Sequence, residues 1–239
     1  MFQQSTPPCG RKCVRLLSGC FTALAILLLT MSTPSAFAQT HVTNPFVGAT
    51  VYVNPDYTNE VATAIATEPA GSTLASQMTV VGNTPTFVWL DRIAAIYGGS
   101  VNSNRLGLQG HINAAVAQAN GAEIIVPLVI YDLPDRDCAA LASNGELSIA
   151  GNDTPKGYTT PLTGTGIQEY ENYYINPIYN ILAAAPSNVR FVLVIEDDSL
   201  PNIVTNTGYS YSLANCVAAN AGQSYPTYSM TGVYVQGIQ

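Results

Sequence analysis

The chain has 239 residues, of which 47% are hydrophobic and 10% charged, and its formal net charge is −7 at pH 7. An acidic chain lacks the basic surface that binds nucleic acid or anionic membranes, so neither is expected as a partner. The length and hydrophobic fraction suit one domain with a sizeable core.

The first 38 residues have the pattern of a secretory signal peptide. Three basic residues between positions 11 and 15 precede an apolar run from Leu16 to Met31, and Ala36-Phe37-Ala38 offers a small-x-small cleavage site. The run is shorter than the roughly 20 apolar residues that span a bilayer, so a membrane anchor is the weaker alternative. We expect cleavage after Ala38, secretion of residues 39–239, and no membrane association afterwards.

Removal of this segment changes the charge and the cysteine content. It contains three of the eight basic residues and none of the fifteen acidic ones, so the remaining chain has a net charge of −10. Of the five cysteines, only Cys138 and Cys216 remain. In an oxidising compartment we expect these two to form a disulfide, with two buried free thiols as the alternative.

The predicted elements of the remaining chain alternate between helices and strands. Helices are predicted over 57–67, 72–81, 109–120 and 169–185, and strands over 85–91, 124–130 and 189–195. The last two strands are β-branched apolar runs that are typical of buried strands, and Pro177 is expected to kink the last helix. This alternation predicts an α/β fold with a parallel sheet whose ligand site lies at the carboxyl ends of the strands.

Two of the predicted buried strands lead directly into acidic segments. Tyr131-Asp-Leu-Pro-Asp-Arg-Asp137 follows the strand over 124–130, and Glu196-Asp-Asp198 follows the strand over 189–195. Parallel strands bring both segments to the same edge of the sheet. Carboxylates gathered there suit acid–base hydrolysis of a neutral polysaccharide. We expect Asp132 and Asp135 to serve as hydrogen-bond acceptors in the loop and not as catalysts.

Four segments carry a family resemblance: NPFVGATVYVNPDY (44–57), FVWLD (87–91), YDLPDRDCAALASNGE (131–146) and VLVIEDDSLPNIVTN (192–206). In this order they resemble glycoside hydrolase family 6, which contains cellobiohydrolases and endoglucanases. The resemblance runs from residue 44 to about residue 225, and the tail 226–239 departs from it. It implies a catalytic domain over 39–239 with a distorted TIM-like (β/α) barrel, of which we expect about the first half here.

The resemblance implies hydrolysis of β-1,4-glucan with inversion and a role for each matched residue. Asp198 matches the general acid, and Asp137 matches the aspartate that supports the acid and the developing positive charge. Tyr131 matches the tyrosine that helps to distort the sugar ring, and Ser143 matches the serine that holds the hydrolytic water. Arg136 lies between two aspartates and is expected to orient them by ion pairing.

The single tryptophan, Trp89, is a candidate for sugar binding because indole faces stack on the apolar faces of pyranose rings. A strand tryptophan is more often a core residue, but the resemblance implies a sugar-stacking role for Trp89 and a polar partner role for Asp91. It also implies the Cys138–Cys216 disulfide. The expected partner is cellulose or a cello-oligosaccharide, with no cofactor and no metal. His111 is expected at the surface.

Two further features concern the surface and the activity. Asn152-Asp153-Thr154 is an N-glycosylation sequon in a Gly/Thr/Pro-rich loop. Asp197 stands where the acid motif of the resembled family has proline. Together with the divergent tail, Asp197 leaves a second hypothesis open: a catalytically impaired homologue that at most binds glucan or a protein partner.

Overall fold

The computed structural model describes residues 43–137 and 143–198. The predicted signal peptide, Cys138, Cys216 and the tail 226–239 lie outside the described residues. No helix within these two ranges is long and apolar enough to cross a membrane.

Strands and helices alternate along the described chain, as predicted. In chain order the elements are β1 (Thr50–Val51), α1 (Pro55–Ile65), α2 (Thr73–Gly82), β2 (Val88–Leu90), α3 (Ile93–Tyr97), a 3₁₀ turn (Ser100–Asn102), α4 (Leu108–Ala119), β3 (Ile124–Ile130), α5 (Gly166–Glu169), a π-helical segment (Tyr170–Ile175), α6 (Asn176–Ala183) and β4 (Val189–Ile195). The bounds predicted for β3 and β4 are confirmed. The two-residue β1 was not predicted, and β2 is shorter than predicted.

The first residues of α1 and α2 show why these helices begin where they do. The side chain of Asn54 accepts a hydrogen bond from the backbone N–H of Asp56 at 3.0 Å, and a proline occupies the first turn of α1. The hydroxyl of Ser72 accepts from the N–H of Ala75 at 3.1 Å. Both side chains satisfy N–H groups that the helix itself leaves unpaired.

The sheet is parallel and is centred on β3. β4 pairs with β3 along its whole length, from Ile124 opposite Val189 to Ile130 opposite Ile195. β1 pairs with the first two residues of β3 and β2 with its last three, so β1 and β2 share the other edge. Leu90, at the end of β2, also lies opposite Ile130. The predicted parallel arrangement is therefore confirmed. The carboxyl ends of β2, β3 and β4 lie side by side at the same edge of the sheet.

The core lies around β3, whose seven residues are all buried. The largest fully buried side chains are Tyr52, Tyr174, Leu90, Ile93, Ile96, Leu108, Ile112, Ile124, Ile125, Leu128 and Leu133. The prediction that the last strand is fully buried is wrong for the C-terminal half of β4. There Leu193 is 41% exposed and Ile195 is 56% exposed. Within the described part of the chain, β4 has a strand partner on one edge only.

The predicted helix over 169–185 is observed with an irregular first half. Its residues Tyr170–Ile175 are π-helical, and Asn176–Ala183 are α-helical. Pro177 has no N–H to donate to the preceding turn. The wider π-helical turn ends two residues before this proline. The π-helical segment lies N-terminal to Pro177, and the predicted kink at Pro177 itself stays a prediction. The wider turn brings the rings of Tyr170 and Tyr174 into a stack with centroids 5.3 Å apart.

Candidate active site

A cleft of about 380 Å³ lies where β2, β3 and β4 end. We call it the strand-end cleft, and its lining residues are Trp89, Asp91, Arg92, Tyr131, Arg136, Asp137, Ser143, Asn144 and Asp198. The seven residues singled out in the sequence for catalysis or substrate binding are all among these nine. They come from four separate segments: the parallel register of the three strands brings three of them together, and a hydrogen bond from Arg136 holds the backbone of Ser143 beside them.

Trp89 faces the cleft and not the core. It is 50% exposed, whereas its strand neighbours Val88 and Leu90 are 5% and 0% exposed. Alternate residues of a strand face opposite sides, so β2 buries one face and presents Trp89 on the other. The indole meets the ring of Tyr131 edge to face, with centroids 6.1 Å apart. An open indole face beside polar groups is a surface on which a sugar ring can stack.

The charges of the two predicted catalytic aspartates act on the hydroxyl of Tyr131. Burial raises the pKa of the Tyr131 hydroxyl above its ordinary value. The charge of Asp137, a hydrogen bond with Asp137 and the charge of Asp198 raise this pKa further. The hydroxyl therefore keeps its proton at neutral pH.

Arg136 has a larger structural role than the ion pairing predicted from the sequence. It is 6% exposed, and its guanidinium donates to the backbone oxygen of Ser143 at 2.5 Å and to that of Asp91 at 2.6 Å. It also lies 3.8 Å from the carboxylate of Asp137 and 4.7 Å from the centroid of the Tyr131 ring. One buried cation thus connects the ends of β2 and β3 with the backbone at Ser143.

Asp91 is held as a carboxylate by its neighbours. Its two oxygens accept from Nε and Nη2 of Arg92 at 2.9 and 2.6 Å. Burial alone would raise the pKa of Asp91, but the hydrogen bond and charge of Arg92 and the charge of Arg136 outweigh it and lower the pKa. Asp91 is therefore a fixed hydrogen-bond acceptor at the rim of the strand-end cleft.

Glu196 is a residue whose importance was not recognised in the sequence. It is 4% exposed, and its Oε1 accepts from the N–H of Asp132 at 3.0 Å and from the hydroxyl of Tyr170 at 2.8 Å. These bonds join the first residues after β3 and β4 to the π-helical segment. Glu196 also has a φ of 48°, a left-handed conformation that costs a residue with a long side chain about 1 kcal/mol.

A tyrosine fixes the ends of β2 and β3 in a similar way. The hydroxyl of Tyr174 donates to the backbone oxygen of Leu90 and accepts from the N–H of Tyr131 at 2.8 Å. Tyr174 is fully buried. The sequence signal for it was present, because Tyr170 and Tyr174 are spaced i,i+4, but that spacing indicates only a shared helix face.

Asp132 is more than the simple loop acceptor that was predicted. It is 0% exposed, and its Oδ1 lies 3.4 Å from Nε of Arg136. Its Oδ2 has no hydrogen-bond partner among the described residues. Burial raises the pKa of Asp132 well above its ordinary value, and the charges of Glu146 and Glu196 raise it further, while Arg136 opposes them.

The sequon loop is held by carboxylates next to the site. The carboxylate of Asp135 accepts from the backbone N–H of Ile149 at 3.4 Å, so its predicted role as a hydrogen-bond acceptor is confirmed. Asp153 accepts from the N–H of Ser148 at 2.5 Å, and the buried Glu169 accepts from the N–H of Asn152 at 2.6 Å. The side chain of Asn152 is exposed, as a glycosylation site requires.

The prediction that His111 lies at the surface is wrong. It is 4% exposed, and its Nδ1 shares a hydrogen bond of 3.0 Å with the hydroxyl of Tyr52. Burial lowers its pKa, so it packs as a neutral ring in the core. In residues 43–137 and 143–198, no group of three or more His, Cys, Asp or Glu side chains could hold a metal ion.

Comparison with known proteins shows which proteins this chain is similar to. Exoglucanase A of Cellulomonas fimi is 43% identical over 182 residues, which are 75% of this chain and 19% of that protein. Exoglucanase 2 of Hypocrea jecorina is 38% identical over 169 residues, which are 71% of this chain and 31% of that protein. The chain thus spans less than two fifths of these relatives.

Solved structures show the same relationship. The catalytic domain of Cellulomonas fimi Cel6B superposes with a TM-score of 0.61 at 37% identity, over 84% of this chain and 39% of that one. The CcCel6A catalytic domain complexed with p-nitrophenyl beta-D-cellotrioside superposes with a TM-score of 0.58 at 32% identity, over 83% and 44% of the two chains. The family model described as glycosyl hydrolases family 6 matches residues 46–231, so this chain belongs to glycosyl hydrolase family 6.

Proposed function

We propose that the chain is a secreted β-1,4-glucanase that hydrolyses cellulose-type glucan with inversion of the anomeric carbon. The observation that carries the proposal is the strand-end cleft, in which Asp137, Asp198 and an exposed Trp89 line one space. Relatives named as exoglucanases and a related structure bound to a cellotrioside support this substrate class. The parallel sheet and its helical crossovers are consistent with a distorted TIM-like barrel.

In this mechanism Asp198 carries a proton and donates it to the leaving glucosidic oxygen. A water molecule attacks the opposite face of the sugar ring, which inverts the anomeric carbon. The carboxylate of Asp137 stabilises the positive charge that develops on the ring, and the Tyr131 hydroxyl beside it favours a distorted ring. Ser143 would hold the water, and Trp89 would stack on a sugar.

Arg136 and Asp91 have different roles in substrate binding: Arg136 positions other groups of the cleft, and Asp91 accepts hydrogen bonds from the sugar. Arg136 holds the backbone of Ser143 and lies 3.8 Å from Asp137, so it sets the spacing between the proposed water site and the charge-stabilising carboxylate. Asp91, fixed by Arg92, offers acceptor oxygens to sugar hydroxyls near Trp89.

Hydrolysis of cellotetraose by the secreted chain tests the proposal. We expect Asp198→Asn to lower kcat at least about 100-fold, as loss of a general acid does, and Asp197→Asn to keep activity within a few-fold. Proton NMR of the first product should show the α-anomer. Cellotetraose binding without turnover by the wild-type chain would favour the alternative of an impaired, glucan-binding homologue.

We also propose processing steps that accompany secretion. Cleavage after Ala38 would release residues 39–239, a disulfide would join Cys138 and Cys216, and Asn152 would carry a glycan. Mass spectrometry of the secreted protein, with and without reduction, measures the first two. A new N-terminus other than Gln39, or two free thiols, would contradict them.

A further inference from the structure

The pairing of β3 with β4 is completed by a side chain and not by the backbone. The N–H of Glu196 donates to the backbone oxygen of Ile130 at 2.8 Å, as in a regular parallel ladder. In the next bond of such a ladder, the N–H of Asp132 would donate to the backbone oxygen of Glu196. It donates instead to Oε1 of the Glu196 side chain at 3.0 Å. Because the carboxylate replaces the backbone oxygen, the main chain can leave the sheet at Glu196, where φ is 48°.

The turn that begins at Glu196 carries the proposed general acid. Asp197 and Asp198 follow Glu196 in this turn, and Asp198 lines the strand-end cleft. The side chain of Asp198 is exposed, whereas Glu196 is 4% exposed. The buried Glu196 side chain is therefore the fixed point from which the main chain carries Asp198 to the cleft.

Tyr170 holds this fixed point from the helical layer. It is 2% exposed, and its hydroxyl donates to the same Oε1 of Glu196 at 2.8 Å. Burial raises the pKa of Tyr170, and the charge of Glu196 and the hydrogen bond with it raise this pKa further, so the hydroxyl keeps its proton at neutral pH. A hydrogen bond to a carboxylate is stronger than one between neutral groups. Glu196 is thus held both by β3 and by the π-helical segment.

The π-helical segment supplies a second buried hydroxyl that contacts a different pair of strands. The ring of Tyr174 stacks on that of Tyr170, but its hydroxyl donates to the backbone oxygen of Leu90 and accepts from the N–H of Tyr131. Tyr174 therefore acts where β2 and β3 separate, and Tyr170 acts where β3 and β4 separate. π-helical turns are frequent at functional sites. The two stacked tyrosines can be tested against each other, because only Tyr170 contacts the strand end that leads to Asp198.

We propose that Tyr170 is a positioning residue for the general acid: through Glu196 it fixes the turn that presents Asp198 to the leaving oxygen. The inference rests on the proposed function, from which it takes the role of Asp198. Tyr170 is buried and is not among the residues that line the strand-end cleft, so it acts through Glu196 and not by contact with the substrate. A displacement of about 1 Å at a catalytic group can cost on the order of 100-fold in rate.

Two substrates with different leaving groups measure this effect in the full chain. Cellotriose has a sugar leaving group that needs a proton, and dinitrophenyl cellobioside has a leaving group that needs none. Tyr170→Phe should lower kcat at least about ten-fold on cellotriose and less than about two-fold on dinitrophenyl cellobioside. Tyr174→Phe removes the other buried hydroxyl, and any loss that it causes should be the same on both substrates. Tyr173→Phe, which removes a hydroxyl 2.9 Å from that of Thr163, should keep both rates.

The outcomes separate this inference from the proposed function. Equal losses on both substrates for Tyr170→Phe, or no loss on cellotriose, would overturn the positioning role while leaving the proposed hydrolysis intact. A selective loss on cellotriose for Tyr174→Phe as well would also overturn it, because the effect would then belong to any buried hydroxyl of this segment. Glu196→Ala removes the acceptor and is a second test, for which the same selective loss as in Tyr170→Phe is expected. If the wild-type chain turns over neither substrate, the proposed function is wrong and the positioning role is wrong with it.

Discussion

Replacing Glu196 by alanine would remove the acceptor that joins the ends of β3 and β4 to the π-helical segment. Two donors would lose their partner: the N–H of Asp132, now 3.0 Å from Oε1, and the hydroxyl of Tyr170, now 2.8 Å from it. Each buried donor left unpaired costs about 1–3 kcal/mol. Since Glu196 is only 4% exposed, water cannot replace it without local opening, and we expect a loss of about 2–5 kcal/mol in the free energy of unfolding.

Glu196→Gln is the matched variant. It keeps a carbonyl oxygen at the same position and removes a negative charge that raises the pKa of Asp132. We therefore expect its free energy of unfolding to stay within about 1 kcal/mol of the wild type. Urea unfolding at fixed pH, followed by the fluorescence of the single tryptophan, measures both variants. A loss below about 1 kcal/mol for the alanine variant, or equal losses for both, would refute the reasoning.

Three other predictions follow from the same structure. Burial raises the pKa of Asp135 from 3.8 to about 6, so its folded form binds a proton more tightly than the unfolded chain does. This tighter proton binding stabilises the folded state by up to about 3 kcal/mol. The full stabilisation is expected below about pH 4, and it should be lost as the pH rises to about 6. Asp135→Asn should flatten that part of the profile of urea midpoints against pH; an unchanged slope would contradict this. Tyr174→Phe should lower the free energy of unfolding by about 1–3 kcal/mol, whereas Tyr179→Phe, at a 67% exposed position, should change it by less than about 0.5 kcal/mol. Asn152→Gln should abolish a mobility shift on endoglycosidase treatment after secretion from a glycosylating host; the shift would persist if another site carried the glycan.

Much of the fold was predictable because its signals are local. Ile124–Ile130 and Val189–Ile195 are apolar runs of strand length, and their bounds agree with the structure. The two-residue β1 was missed because Thr50–Val51 is too short to show any periodicity. The exposure of Leu193 was also not predictable, because an apolar side chain does not reveal whether another element covers it.

The residues of the strand-end cleft were predictable because parallel strands bring their ends to one edge and because four segments resemble one family. The buried side chains that support the cleft and the core could not be predicted in this way. Glu196 looked like one member of an acidic run, and only the structure shows that it faces inward towards Tyr170. His111 looked like a surface residue because a helix position alone does not reveal the hydroxyl of Tyr52 against which it packs.

The central claim is that Asp198 protonates the leaving oxygen of a glucan bound in the strand-end cleft. The most direct test compares Asp198→Ala with the wild-type chain on two cellobiosides, one with a dinitrophenyl leaving group that needs no proton and one with a sugar leaving group that does. We predict that the variant loses about 100-fold or more in kcat on the sugar leaving group and less than about ten-fold on the dinitrophenyl group. Equal losses on both substrates, or no loss on the sugar leaving group, would contradict the assignment of Asp198 as the acid.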